Sequence, residues 1–238
     1  MNIAVIIQAR VGSKRLKNKI LKKIKKKTII EILLQRLKYS KKIKKIIIAI
    51  PNTEENDFLY KKLKDLNCDV FRGDEHNVLK RYYDCAKKFK VDNIIRITSD
   101  CPLIDPELID KGINLFNKNK FDYISNVLTP SYPDGLDFEI FSFKVLKNSI
   151  GKNLSKFDKE HVTQHIIRSN RIKKYNIKSK ENFSHLRLTL DYEKDFLVIQ
   201  KILSKFNNLK FNYEDIIRLY RLNKKLFNLN TDKIRNVS

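Results

Sequence analysis

Three apolar runs constrain this chain most: Ile3 to Gln8, Ile46 to Ile50 and Ile94 to Thr98, each rich in isoleucine and each too short for a helix. β-Branched side chains suit a pleated strand. Runs with so little polar alternation belong to strands covered on both faces. Between and after them lie longer segments of helical period: Thr28 to Tyr39, with Ile29, Ile32, Leu33 and Leu37 on one face, then Glu54 to Leu66 and Asn77 to Phe89. Strands joined by crossover helices predict an α/β fold with a mostly parallel sheet flanked by helices. A short strand at Val70-Phe71, a helix capped by Asp105 with Pro106 in its first position, a strand Leu186 to Leu190, and helices Glu193 to Phe206 and Tyr213 to Leu222 extend the pattern.

Residues 120 to 185 are less regular. They read as a strand Tyr123 to Asn126, a proline-bearing loop Pro130 to Gly135, a strand Asp137 to Phe141, and helices Phe143 to Ser149 and Asp158 to Ile167. No repeat or linker divides the 238 residues, so one domain, 1–238, is expected, with 120–185 as an irregular insertion.

The chain carries 51 Lys+Arg against 27 Asp+Glu, a net charge of +24. A nucleic-acid binder would cluster arginine and aromatic residues on one element. Here 39 of the cations are lysine, dispersed along the chain together with abundant Ile and Asn, which is the signature of an AT-rich coding sequence. No helix-turn-helix, zinc or RNA-binding signature accompanies them, and the field attracts anions in general. The three cysteines Cys68, Cys85 and Cys101 form no C-x-x-C pair and fit a reducing compartment. Arg10 interrupts the apolar start too soon for a signal peptide and no run is long enough to span a membrane, so a cytoplasmic location is expected.

Ligands of open α/β sheets bind where strands end. Three such loops are unusual. After the first strand come Gln8-Ala9-Arg10-Val11-Gly12-Ser13-Lys14-Arg15-Leu16 and Lys19. Gly12 permits a turn with positive φ, Ser13 and the backbone donate hydrogen bonds, and Arg10, Arg15 and Lys19 supply the charge to cradle phosphates. The spacing is neither that of the P-loop nor G-x-G-x-x-G. After the Ile94 to Thr98 strand comes Ser99-Asp100-Cys101-Pro102, where Asp100 is either a turn residue or a ligand for a hard cation such as Mg²⁺. After Leu190, Asp191 is either a second metal carboxylate or the N-cap of the following helix. Pro133-Asp134-Gly135-Leu136-Asp137 either presents a polar loop to a substrate or closes a hairpin. His161 and His165 lie four apart, but Val162 replaces the glutamate of a zinc-protease motif. Cys101 reads as core packing.

Taken in order, Ile-Ile-Gln-Ala-Arg-x-Gly-Ser-x-Arg-Leu, Phe71-Arg72-Gly73 with Val78-Leu79-x-Arg81-Tyr82, Asp100-Cys101-Pro102-Leu103-Ile104-Asp105, Tyr132-Pro133-Asp134-Gly135-Leu136-Asp137 and Glu160-His161-Val162-Thr163 resemble the cytidylyltransferase family. Within it the likeness is greatest to the spore coat polysaccharide biosynthesis protein F group, relatives of CMP-Kdo and CMP-acylneuraminate synthetases. The resemblance implies a nucleotide-diphospho-sugar-transferase-like, Rossmann-like fold that joins CTP to a sugar acid with Mg²⁺ as cofactor and releases pyrophosphate. It implies that Ala9, Arg10, Gly12, Ser13, Arg15 and Lys19 bind the nucleotide, flanked by Arg72, Gly73, Asp74, Val78 and Leu79. Asp100 and Asp191 would hold the metal, and Arg10, Lys19 and Asp100 would be catalytic. Asp134, Gly135, Asp137 and His161 are then candidates for the acceptor, and a homodimer is expected, with Phe141 to Ile167 as its interface. The family commonly has Leu-Pro-Gly-Lys where this chain has Leu16-Lys17-Asn18-Lys19. Alternative readings are transfer from another nucleotide, a polyol-phosphate acceptor, or a basic nucleic-acid binder.

Overall fold

The computed structural model describes residues 2–13, 15–151 and 154–232. In chain order the elements are β1 (Ile3–Gln8), a two-residue hairpin of β2 (Lys23–Ile24) and β3 (Lys27–Thr28), α1 (Ile29–Leu37), β4 (Ile46–Pro51), α2 (Asp57–Asp65), β5 (Asp69–Gly73), α3 (Val78–Lys88), β6 (Asn93–Thr98) and α4 (Pro106–Lys118). The second half adds β7 (Tyr123–Ser125), β8 (Glu139–Ser142), α5 (Phe143–Ser149), α6 (Lys156–His161), α7 (Gln164–Arg168), β9 (Lys174–Asn176), α8 (Glu193–Ser204), α9 (Tyr213–Leu222) and α10 (Lys224–Phe227).

One seven-stranded sheet in the order β5-β4-β1-β6-β8-β7-β9 carries the fold. Strands β5, β4, β1 and β6 are mutually parallel, and β8 runs antiparallel to β6 and β7. Irregular as it is, the insertion therefore continues the main sheet through β7, β8 and β9. The apolar runs are explained by burial on both faces: Val5, Ile7, Ile48 and Ile95 pack into one cluster, Ala4, Ile6, Ile47 and Ile94 into the other. Polar residues collect where the parallel strands end. As expected, the Asp105 carboxylate caps α4 by accepting from Glu107 N at 2.8 Å, with Pro106 following.

Two sequence expectations are corrected and one strand is added. Leu186 to Leu190 is not a ladder strand; among the described residues its only pairing of that kind is an isolated bridge between Arg187 and Asp134. Its alternation is genuine, because Leu186, Leu188 and Leu190 are buried in the core while Arg187, Thr189 and Asp191 turn to a cleft. The helix expected over Asp158 to Ile167 breaks into α6 and α7 at buried Val162, whose φ is 63°. β9, with the polar sequence Lys-Tyr-Asn, carries no apolar run and was not expected.

Candidate active site

The ends of β1 and β6 open into a cavity of about 560 Å³, within the usual range for a small-molecule site. A larger groove of about 690 Å³ lies between α1 and the starts of β4 and β5, bordered by Gln35, Lys45 and Asp69, and holds none of the candidate residues. Chemistry points to the first cavity.

Its centre is Lys19. The Nζ donates to Asp100 Oδ2 at 2.6 Å and to Asp191 Oδ1 at 2.8 Å. Two carboxylates separated by 91 positions in sequence thus face one cation position. Burial resists ionisation of Asp100, but the Lys19 charge and hydrogen bond, helped by Thr98, outweigh it and hold its pKa below the ordinary value. Burial likewise opposes the Lys19 charge, and the two carboxylates outweigh it, raising the ammonium pKa. The loop's approach depends on Asn18, which adopts the left-handed conformation at φ 54°, ψ 29°. Asparagine tolerates this region better than most residues, so Asn18 takes the backbone role of the missing glycine and delivers Lys19 to the cleft.

Asp191 is not the cap of α8. Asp195 reaches back instead and accepts from the backbone N–H groups of Asp191 and Tyr192, each at 2.9 Å. This leaves the Asp191 carboxylate to Lys19, to Arg15 Nη2 at 3.3 Å and to Arg187 Nη2 at 3.1 Å. Buried Arg187 also pairs with Asp134 Oδ2 and Asp195 Oδ1, both at 2.9 Å. The 186–190 segment is strapped to the β6 loop by Leu190 N donating to the Asp100 carbonyl at 2.9 Å. Side chain and backbone together fix the two carboxylates relative to each other.

Ala9, Arg10, Gly12, Ser13, Arg15 and Lys19 all line the cavity. Gly12 does not play the expected conformational part. It has no positive φ, but a Cβ there would lie 3.0 Å from Glu55 Oε2. Val78 lines the cavity, whereas the structure does not bring Arg72, Gly73, Asp74 or Leu79 to it. Arg72 turns to Asp57 Oδ1 at 2.6 Å and the Thr53 carbonyl at 2.9 Å. The Gly73 carbonyl accepts from Asn52 N, the Asp74 carboxylate accepts from His76 N and Asn77 N, and Leu79 is core.

On the acceptor side, Asp134, Asp137 and His161 line the cavity. Gly135 does not. It has φ 103° and packs against the 186–190 segment, so a Cβ would meet Thr189 N at 2.4 Å. The Asp134-Gly135 stretch is a turn, with Leu136 N donating to the Pro133 carbonyl at 3.2 Å, and it joins no hairpin pair among the described residues. His161 ends α6 and His165 is exposed on α7, so they share no helical face. Burial is the main cause of a lowered His161 pKa, opposed by Glu160 and reinforced by Arg96. Burial, with Asp100 adjacent, pushes the Cys101 thiol far up, in keeping with packing rather than nucleophilic attack.

Sequence reasoning assigned no role to Arg81, Arg96 or Arg187, all of which line the cavity. A signal existed for two of them: Arg96 is the one charge inside an otherwise apolar strand sequence, and Arg187 opens the alternation that ends at Asp191.

For a metal, the donor chemistry fits. Asp100 and Asp191 present hard oxygen donors to one cationic position, although no cluster of three or more His, Cys, Asp or Glu side chains able to hold an ion is present among the described residues. Mg²⁺ requires only one or two carboxylates when phosphates supply further oxygens.

The ends of the parallel strands thus set cations beside paired carboxylates in one cleft. The comparisons give the chain its family. The cytidylyltransferase family model matches residues 4–233. The chain is 39% identical to an uncharacterised protein of Methanocaldococcus jannaschii, over 98% of this chain and 96% of that one. It is 31% identical to the spore coat polysaccharide biosynthesis protein SpsF of Bacillus subtilis, covering 86% and 87% of the two chains. A cytidylyltransferase structure from Leptospira borgpetersenii superposes with a TM-score of 0.92 at 29% identity, covering 95% of this chain and 97% of that one. The CMP:2-keto-3-deoxy-manno-octonic acid synthetase complexed with CTP shares the fold, with a TM-score of 0.65 at 13% identity over 86% of this chain and 99% of that one. The chain belongs to the cytidylyltransferase family.

Proposed function

We propose that the chain transfers the cytidylyl group of CTP to a hydroxyl of a sugar acid, forming a CMP-sugar and pyrophosphate for surface polysaccharide biosynthesis. The convergence of Asp100, Asp191 and Lys19 in one cleft is the observation that carries this reading. The names of the Bacillus relative and of the synthetase with the shared fold support the substrate class.

In the reaction, the acceptor oxygen bonds to the α-phosphorus of CTP, the bond from that phosphorus to the bridging oxygen breaks, and the hydroxyl proton passes to solvent. Negative charge grows on the α-phosphate oxygens and the departing pyrophosphate, so fixed cations aimed at them lower the barrier. Arg10, Arg15 and Lys19 are the cations of the loop after β1 that line the cavity, and they would hold the triphosphate. Asp100 and Asp191 would hold Mg²⁺, which when bound supplies Lewis-acid charge to the phosphates and lowers the hydroxyl pKa. Asp134 and Asp137 line the same cavity and would meet acceptor hydroxyls. A homodimer through Phe141 to Ile167 is part of the proposal, supported by Ile150 and Phe157, 41% and 45% exposed on that segment.

The test is pyrophosphate release with CTP, UTP, ATP or GTP, Mg²⁺ and a panel of sugar acids and polyol phosphates. Turnover requiring CTP and a sugar acid is expected. Turnover with another nucleotide, or with polyol phosphates alone, overturns it.

A further inference from the structure

The cleft has a second cationic station away from Lys19. Arg81 of α3 and Arg96 of β6 line its wall, and Arg10 lines it with them. Both are almost fully buried, at 3% and 8% exposed. Arg96 gives Nη1 to Glu139, a carboxylate already accepting from Tyr123 and Thr163 hydroxyls at 2.5 Å each. Arg81 gives Nη1 to the Asp74 carbonyl at 2.8 Å. Among the described residues neither Nε has a hydrogen-bond partner. Each guanidinium is thus partnered among them through Nη1, while its Nε is buried without a partner.

Buried donors are ordinarily satisfied, and each exception calls for an explanation. Packing offers none, since an apolar side chain of similar volume would fill the wall without stranding donors. Repulsion adds to the puzzle: burial first, and Arg10 in addition, lower the Arg81 pKa against the opposing pull of Tyr82. Glu160 is an acid that also lines the cleft. Arg96 lies within β6, whereas Asp100 lies in the turn that follows the strand and pairs with Lys19. One triphosphate tail held at Lys19 does not also need a cationic wall there. The guanidinium edge matches a carboxylate or phosphate through paired hydrogen bonds.

We infer that Arg81 and Arg96 form an oxyanion subsite that recognises a carboxylate or phosphate group on the acceptor. The word acceptor rests on the cytidylyl-transfer reading above; the oxyanion chemistry does not.

Titration calorimetry on the full chain, with and without saturating CMP, tests this with Kdo, glycerol 3-phosphate and CMP as probes. Arg81→Met is the first variant. Arg96→Lys is the second, because it keeps a charge beside buried Glu139 and decides the matter if Arg81→Met fails to fold by circular dichroism. At least one acid probe is expected to bind the wild type and to bind the variants tenfold more weakly or worse, with CMP affinity kept within twofold. Loss confined to Kdo assigns a carboxylate, and loss confined to glycerol 3-phosphate assigns a phosphate. The inference is overturned if neither acid probe binds the wild type, if the variants bind them as well as the wild type, or if CMP binding falls as far as acid binding. Arginine-dependent acid binding without CTP turnover would sink the transferase reading and leave the subsite standing.

Discussion

With Asp100 changed to asparagine, Lys19 keeps one carboxylate and the cleft loses half of its paired acid. Asp100→Asn should leave the circular dichroism spectrum unchanged and lower kcat by roughly 10²–10³-fold, the scale on which single electrostatic groups act in active sites. A variant within tenfold of wild type would remove Asp100 from the chemistry. The Lys19 pairs also predict a pH dependence of stability. The folded Asp100 pKa is depressed, so its contribution is present above the unfolded value of about 3.9 and is lost as pH falls through the folded value below it. The folded Lys19 pKa is raised, so its contribution is present below about 10.4 and is lost as pH rises through the folded value above it. Urea midpoints of wild type and Lys19→Met should therefore differ most at intermediate pH and converge at both extremes. A difference independent of pH would contradict this linkage.

Among the elements, the strap from Leu186 to Asp191 does the positioning, and Gly135 is where it is held closest. Its φ of 103° and the 2.4 Å approach of Thr189 N to a Cβ exclude any side chain. Gly135→Ala should destabilise by roughly 2–5 kcal/mol, combining backbone strain with overpacking, as read from urea denaturation. A loss below about 1 kcal/mol would mean that the strap yields freely. This part of the site was only half legible in the sequence. The strands β1, β4 and β6 declare themselves because burial on two faces demands unbroken apolar runs. Leu186 to Leu190 shows the alternation of a half-buried strand, but periodicity cannot tell whether a ladder partner exists, and here loops take that role. β9 is an edge strand with a polar sequence, and the break at Val162 rests on tertiary packing that overrides helical period. Lys19, Asp100 and Asp191 were legible through strand ends and family resemblance. Of the segment expected to flank the nucleotide, Val78 lines the cavity while Arg72, Gly73, Asp74 and Leu79 do not, because neighbours along a chain need not share a direction in space.

For the whole molecule, the excess of 51 cationic over 27 anionic side chains sets the response to salt. Exposed pairs such as Lys194–Asp232 contribute little, so screening relieves more repulsion than attraction. Raising NaCl from about 50 to about 500 mM should raise Tm by several degrees, at roughly 2–4 °C per kcal/mol recovered for a chain of this size. A Tm that falls would show that specific pairs outweigh the net charge. At this scale one buried side chain also joins distant parts of the chain. Arg36 is fully buried, donates to the carbonyls of Leu103, Ile104, Leu209 and Phe211, and stacks over the Phe211 ring at 3.8 Å. Burial lowers its pKa to about 10 against the pull of Asp105, so it stays charged at neutral pH. A growing chain emerging from the ribosome can assemble its first strands early, but the clasp that anchors the stretch just beyond Asp100 has no complete set of acceptors until residue 211 has been made. Closure of this clasp thus waits for a residue 111 positions beyond Asp100.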